Sequence, residues 1–200
     1  GRDVFVALTH GARHVDALEM DPSIVALLTT PEMTEYMGGL YKSSRVNLVN
    51  DEGRSFLRRQ PPESYDIIQF VNNYTPVAIT SGALNLSETF LLTAESFKDM
   101  YARLKPDGII AIHRGTTLRT ALTALQALRE LGIEQPEKQL IITNGEWHYF
   151  EGMFIKKGLW TTEEQSKIHS FLSSGPRYNN TTFLWTPFDP TRKNIYSEVI

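Results

Sequence analysis

Short apolar runs, spaced by stretches with helical periodicity, constrain this chain more than any other feature. The runs fall at 15–20, 46–49, 66–71, 109–113, 140–143 and 153–155. Each has the length and the branched, apolar character of a buried strand. Between most of them the spacing is helical. Phe90, Ala94, Phe97, Tyr101 and Leu104 make one apolar stripe. Leu118, Ala121, Leu122, Leu125 and Leu128 make another, which Gly132 closes as a C-terminal cap. Val4 and Leu8 mark a short first helix stopped at Gly11. Asp21-Pro22-Ser23 opens a helix, Gln60-Pro61-Pro62 closes one, and Lys105-Pro106-Asp107-Gly108 turns from a helix into Ile109. The order reads α-β-α-β-α-β-α-β-α-β-β-α. Such alternation predicts an α/β fold: a doubly wound, mostly parallel, Rossmann-like sheet covered on both faces. No helix separates the last two runs, so they are expected as an antiparallel pair at one edge.

The chain has 200 residues, enough for one domain with a small appendage. The absence of Cys excludes disulfides, a thiolate nucleophile and cysteine-ligated metal or iron–sulfur sites. A net charge of −3 provides no global attraction to nucleic acid or anionic lipid. No apolar run reaches the roughly 18–20 residues of a membrane span. No secretory signal is read at the start, so Asn85-Leu86-Ser87, Asn179-Asn180-Thr181 and Asn180-Thr181-Thr182 are taken as chance glycosylation matches. The abrupt opening at Gly1-Arg2-Asp3 suggests a piece of a longer protein. After Gly158 the pattern changes. Thr161-Thr162-Glu163-Glu164 starts a helix with Ile168, Phe171 and Leu172 facing inward, and 175–192 reads as irregular chain anchored by Phe183, Trp185 and Phe188. The expected organisation is a main domain at 1–158, with 159–200 as a helix and aromatic tail packed on it.

In open parallel sheets, ligands bind beyond the carboxyl ends of the strands. Candidate site residues are therefore those that follow each run. Glu19, then Asp21, can accept the hydroxyl hydrogens of a ribose. Asp51, with Glu52 beside it, can accept from the exocyclic amine of an adenine, and Asp51 is equally suited to cap the next helix. The third run leads through Gln69 into Asn72, Asn73 and Tyr74, which read as turn formers or as substrate contacts. His113-Arg114-Gly115 follows the fourth run, with His113 either a core histidine or a pocket residue. His10 and His14 have metal-ligand spacing, but Gly11 interrupts the helix and no third ligand is evident, so no metal site is expected. Arg58-Arg59 suits a solvated helix end, and Trp147-His148-Tyr149-Phe150 an edge or interface.

Together these features resemble the class I S-adenosylmethionine-dependent methyltransferase fold and, within it, the spermidine synthase branch. The residues carrying the resemblance are Val15-Asp16-Ala17-Leu18-Glu19-Met20-Asp21-Pro22, Val49-Asn50-Asp51-Glu52-Gly53-Arg54-Ser55-Phe56-Leu57, Tyr65-Asp66-Ile67-Ile68 and Leu104-Lys105-Pro106-Asp107-Gly108-Ile109. It covers about 1–158 and implies the strand order 3-2-1-4-5-7-6. It implies S-adenosylmethionine or its decarboxylated form as cofactor. Glu19 matches the family's ribose-binding acid and Asp51 the acid near adenine. Gly1 and Arg2 look like the end of its glycine-rich loop. The implied cofactor-binding set is Gly1, Glu19, Asp21, Asp51, Glu52 and Gln69.

Two departures accompany the resemblance. The family's first, central strand is missing, so an upstream segment, a closing-up of its neighbours or a strand from a second copy in a homodimer must fill the gap. Val71 stands about where spermidine synthases carry the Asp that acts as general base, and the nearby amides cannot take up a proton as a carboxylate does. The catalytic group is therefore unknown, with Asn72, Asn73 and Tyr74 as candidates. The expected function is transfer of a methyl group, or transfer to an altered small-molecule acceptor. The alternative is a catalytically silent binding or assembly domain of a larger protein. A nicotinamide-dependent oxidoreductase is a third reading, opposed by the antiparallel last pair and the 104–109 turn. No nucleic acid and no membrane contact are expected of this segment. The expected location is cytoplasmic, as a free protein or as the cytoplasmic domain of a membrane-fused one.

Overall fold

The computed structural model describes residues 1–71, 90–113, 118–144, 152–173 and 182–200. Asn72, Asn73, Tyr74, Arg114, Gly115, Trp147, His148, Tyr149 and Phe150 lie outside the described residues. The chain divides into two compact units, Gly1–Arg59 and Gln60–Ile200. The expected boundary at 158/159 falls inside the second unit.

In the first unit, α1 (Arg2–Thr9) leads to β1 (Val15–Glu19), and α2 (Pro22–Leu28) and α3 (Pro31–Tyr36) lead to β2 (Val46–Asn50) and α4 (Gly53–Arg59). Asp21 caps α2 by accepting from the Ser23 N–H, with Pro22 in the first turn. Thr30 caps α3 in the same way through the Met33 N–H. A residue before proline is driven out of the helical region, and Thr30 is extended (φ −64°, ψ 153°), which separates α2 from α3. β1 and β2 pair in parallel from Val15↔Val46 to Glu19↔Asn50. Val46, Phe56 and Leu57 are buried, whereas α1, α2 and α3 bury no residue.

In the second unit the strands are β3 (Tyr65–Val71), β4 (Leu104–His113), β5 (Leu140–Asn144), β6 (Gly152–Lys156) and β7 (Thr182–Trp185). The helices are α5 (Ala94–Arg103), α6 (Leu118–Glu130), α7 (Thr162–Ser173) and α8 (Ile195–Val199). The sheet order is β3-β4-β6-β5-β7. β3 and β4 are parallel, and β6 lies antiparallel between β4 and β5; β5 and β6 pair antiparallel as expected, but β7 rather than this pair takes the edge. Each sheet taken by itself carries part of the implied order: β2-β1 is its 3-2, and β3-β4-β6-β5 its 4-5-7-6. No strand corresponding to its first is among the described residues. β3 has β4 as its only strand partner among them, and Ile67 on β3 is 60% exposed.

Strand alternation separates the two faces of this sheet. One face presents Ile110, Ile112, Leu140, Ile142, Met153 and Ile155, none more than 1% exposed. Phe97, Met100 and Tyr101 of α5 and Ala121, Ala124, Leu125 and Leu128 of α6 are buried, so each expected stripe holds in part: Leu104 starts β4 instead, and Ala94, Leu118 and Leu122 are only half-buried. At about 1.5–3 kcal/mol for each large side chain taken from water, this layer dominates the unit's stability. The other face carries Ile141, Trp160 and Phe183, with Ile109, Phe154 and Ile168 packed against them.

The tail is more regular than its Pro, Asn and Thr content suggested. Thr182-Phe183-Leu184-Trp185 alternates, and it joins the sheet as β7, antiparallel to β5. Phe183 and Trp185 are buried, and the Trp185 indole donates to the Glu137 carbonyl at 3.1 Å. Asn194 caps α8 and donates its amide to the Leu184 carbonyl on β7 at 2.8 Å. Among the described residues no helix is long and apolar enough to cross a membrane.

The expected turn at 105–108 is instead an irregularity inside β4: Tyr65 pairs with Leu104, whereas Ile67 pairs with Ile109. Asp107 takes a left-handed φ of 62° there. A Cβ on Gly108 would lie 2.9 Å from the Lys105 carbonyl oxygen, 3.1 Å from that of Tyr65 and 3.2 Å from that of Asp66. Backbone on both strands has to move to admit it. Gly108→Ala is expected to destabilise the protein by about 1–3 kcal/mol. Urea unfolding measures this, and an unchanged midpoint would show that the backbone yields freely.

Candidate functional site

Parallel pairing carries the ends of β1 and β2 to the same rim of the first unit. The Asp51 N–H donates to the Glu19 carbonyl at 3.2 Å, and the Asn50 side-chain amide donates to the carbonyls of Glu19 (2.9 Å) and Met20 (3.0 Å). Glu19 and Asp51 are thus stitched together through the backbone at the carboxyl ends of adjacent strands.

Their side chains are held differently. Glu19 accepts from the Asp21 N–H at 2.9 Å through Oε1. Asp21 turns its own carboxylate onto the Ser23 N–H at 2.8 Å, as the cap of α2. Asp51 accepts from the Glu52 N–H at 2.8 Å through Oδ1, and Arg59 binds its Oδ2. The capping role open to Asp51 in the sequence falls to Glu52. That carboxylate accepts from the N–H groups of Arg54 and Ser55, each at 2.8 Å. Burial pushes the Glu52 carboxyl up, but those N–H bonds, the Ser55 hydroxyl and the Arg54 charge outweigh it and hold the group below its ordinary range.

Gly1 precedes α1 and accepts from the Phe5 N–H at 3.0 Å. A side chain there would meet Met37, Leu40 and the Tyr41 hydroxyl. Burial, followed by the charges of Glu19 and Asp3, pushes the Tyr41 phenol up. Gly1, Asp3, Glu19 and Tyr41 therefore form one neighbourhood. Sequence reasoning missed Tyr41. Its signal was the pair Gly38-Gly39, both left-handed (φ 60° and 73°), which turns the chain into a 3-10 turn at Leu40–Lys42.

Gln69, Val71 and His113 belong to the second unit. Gln69 is an exposed residue of β3, and Val71 ends that strand. His113 ends β4 with its ring edge-on to Phe154 at 5.5 Å. His14 hydrogen-bonds Asp16 at 3.2 Å, at the opposite end of β1 from Glu19. Among the described residues no group of three or more His, Asp or Glu side chains converges on a metal-sized site.

The parallel β1/β2 pair, the parallel β3/β4 pair and the antiparallel insertion of β6 define an α/β, Rossmann-like architecture. No protein-family model and no curated protein sequence matches the chain. Solved structures do. Spermidine synthase from Thermotoga maritima matches with a TM-score of 0.50 and 17% identity, over 80% of this chain and 51% of that one. A probable spermidine synthase from Corynebacterium glutamicum ATCC 13032 matches with a TM-score of 0.51 and 14% identity, over 94% of this chain and 72% of that one. The chain has a spermidine synthase-like fold, and it spans about half the length of the Thermotoga protein.

Glu52→Gln tests the cap. A folded-state carboxyl held below its ordinary range stabilises the protein above that range, and the contribution is lost as pH falls through the lowered value. The substitution is expected to cost about 0.5–2 kcal/mol near pH 7, and the deficit should shrink as pH falls below the ordinary carboxylate range. Urea midpoints above and below that range measure it, and a deficit independent of pH would contradict the account.

Proposed function

We propose that this chain is the nucleoside-binding part of a transferase that uses S-adenosylmethionine or its decarboxylated form. The reading rests on one observation: two carboxylates, Glu19 and Asp51, stand at the carboxyl ends of adjacent parallel strands, joined by the Asp51 N–H to Glu19 carbonyl bond. In this reading Glu19 accepts the two ribose hydroxyls. The Asp21 N–H on its Oε1 restrains the carboxylate before the ligand arrives. Asp51 accepts from the adenine amine, with Arg59 and the Glu52 N–H fixing its orientation. Tyr41 walls the ribose side next to Gly1. A pair of carboxylates, which only accept, suits a neutral nucleoside, whose hydroxyls and amine donate hydrogen bonds.

The cofactor, if bound, would supply a sulfonium with an electrophilic carbon and a thioether leaving group. The protein's share is to align acceptor and sulfonium, a contribution that can supply much of the rate. In this reading Val71 falls at about the place where the resemblance implies the general-base Asp of spermidine synthases, which favours methyl transfer or a different small-molecule acceptor over polyamine synthesis. Neither nucleic acid nor membrane belongs to this reading, which suits a cytoplasmic domain. The Arg59 bond to Asp51 also favours a second reading, a catalytically silent relative in which that carboxylate is held by the protein rather than by ligand.

Calorimetry with S-adenosylmethionine and with its decarboxylated form tests the proposal. Binding is expected, and Glu19→Ala should weaken it by about tenfold or more, the equivalent of roughly 1.5–3 kcal/mol for hydrogen bonds to a charged group. No heat and no shift in melting temperature with either compound would count against nucleoside binding. Binding without turnover toward any acceptor would favour the silent reading.

A further inference from the structure

We propose that α7 is a charge-latched cover on the second unit's sheet, fastened by the buried ammonium of Lys156 and able to open while the sheet beneath stays folded. Lys156 ends β6, and its side chain is only 3% exposed. An ammonium has three N–H donors and no acceptor. Here they meet the Leu159 carbonyl (3.1 Å), the Glu164 carboxylate (2.8 and 2.9 Å) and Asp107 Oδ1 (3.0 Å). The Trp160 ring lies 5.9 Å away on a further side. The cation is thus enclosed by β4, by the turn after β6 and by the first turn of α7.

Glu164 has two tasks. Besides binding Lys156, it accepts from the Thr161 N–H at 2.8 Å, while its own N–H donates to the Thr161 hydroxyl at 3.2 Å. That reciprocal pair starts α7. The group that neutralises the buried cation therefore also holds the helix's first turn. The two acids are not equivalent: Glu164 is 34% exposed, whereas Asp107 is 75% exposed and its ion pair is screened by water. Loss of the Glu164 charge leaves the enclosed ammonium with only the water-screened Asp107 and the Leu159 carbonyl, and the accessible relief is for α7 to lift and admit water.

Around the latch, the exposed His169 of α7 stacks on Phe183 with ring centroids 6.4 Å apart, and the other charges nearby pair elsewhere. Lys157 donates to the Leu104 carbonyl at 2.8 Å and faces Glu63 at 3.5 Å, Lys105 pairs with Asp66 at 2.7 Å, and Glu163 pairs with Lys167 at 2.7 Å. Beneath α7, Ile168 packs on the cluster formed by Ile141, Trp160 and Phe183, with Ile109 and Phe154 beside it. Opening the latch uncovers that apolar face. The opposite face, with Ile110, Ile112, Leu140, Ile142, Met153 and Ile155, has no part in the latch.

Burial pushes the Glu164 carboxyl up, but Lys156 and the Thr161 N–H and hydroxyl outweigh it and hold the group below its ordinary range. Its contribution is therefore complete above that range and disappears as pH falls through the lowered value.

Amide hydrogen exchange of the full chain, read by mass spectrometry and corrected for intrinsic rates, tests the latch. Near pH 7, Glu164→Gln should speed exchange across 162–171 by more than about tenfold while β4 and β5 keep their protection. Asp107→Asn should change it by less than about twofold. Adding Lys156→Met to Glu164→Gln removes the stranded charge and should return α7 close to wild-type protection. The wild-type chain provides an arm that needs no variant to fold: as pH falls below the ordinary carboxylate range, α7 should lose protection before β4–β6 do. The proposal is overturned if Glu164→Gln leaves α7 unchanged, if Lys156→Met brings no recovery, or if α7 and the sheet lose protection together.

Discussion

Parallel hydrogen bonding between β1 and β2 is the constraint on which the candidate site depends. In a parallel pair both strands end on the same side, so whatever follows each strand is delivered to one rim. The register from Val15↔Val46 to Glu19↔Asn50 leaves Glu19 as the last residue of one strand and Asp51 as the first residue beyond the other. A slip of one residue would turn Glu19 to the other face of the ribbon and remove the pair. Asn50 reinforces the arrangement by tying its amide to the carbonyls of Glu19 and Met20. Backbone geometry sets the spacing of the two carboxylates, and their side-chain partners then set their orientation.

The two units solve the problem of burial in different ways. In the second unit β4, β5 and β6 bury a continuous apolar layer, α5 and α6 bury apolar residues of their own, and the buried Tyr101 hydroxyl is paired with Gln139 Oε1 at 3.0 Å. Its other face admits a cation, Lys156, and answers it with carboxylates and a carbonyl. Paired ions of this kind contribute little net stability but make local order depend on charge. In the first unit three helices bury no residue at all, and the two-stranded ribbon leans on Val46, Phe56 and Leu57. That unit's order rests more on caps and backbone bonds than on a core.

Most strands and helices were legible as sequence because each is a local pattern. The branched runs at 46–49 and 140–143 became β2 and β5 almost residue for residue, and Ala121, Leu125 and Leu128 of the expected stripe lie on the buried side of α6. The misses have physical reasons. β7 is four residues long and flanked by Pro, Asn and Thr, so its alternation carried little weight until β5 offered it a partner. The turn at 105–108 was correctly read as a departure from regular structure, but its place inside β4 follows from hydrogen bonding to β3, which is not adjacent in sequence. Asp51 and Glu52 are both chemically able to cap α4, and only the direction of the side chains assigned the cap to Glu52.

Glu19 and Asp51 were identifiable from the residues alone, since position after an apolar run is a property of the linear chain. Tyr41 and Arg59 were not. A phenol meets Glu19 and a guanidinium meets Asp51 across intervals of chain whose path depends on Gly38-Gly39 and on the length of α4. The same holds for Lys156, an ordinary lysine until three separate elements enclose it. Periodicity and capping act between near neighbours and are written in order along the chain. The partners of a charge are chosen by packing, which brings together residues that share no local pattern.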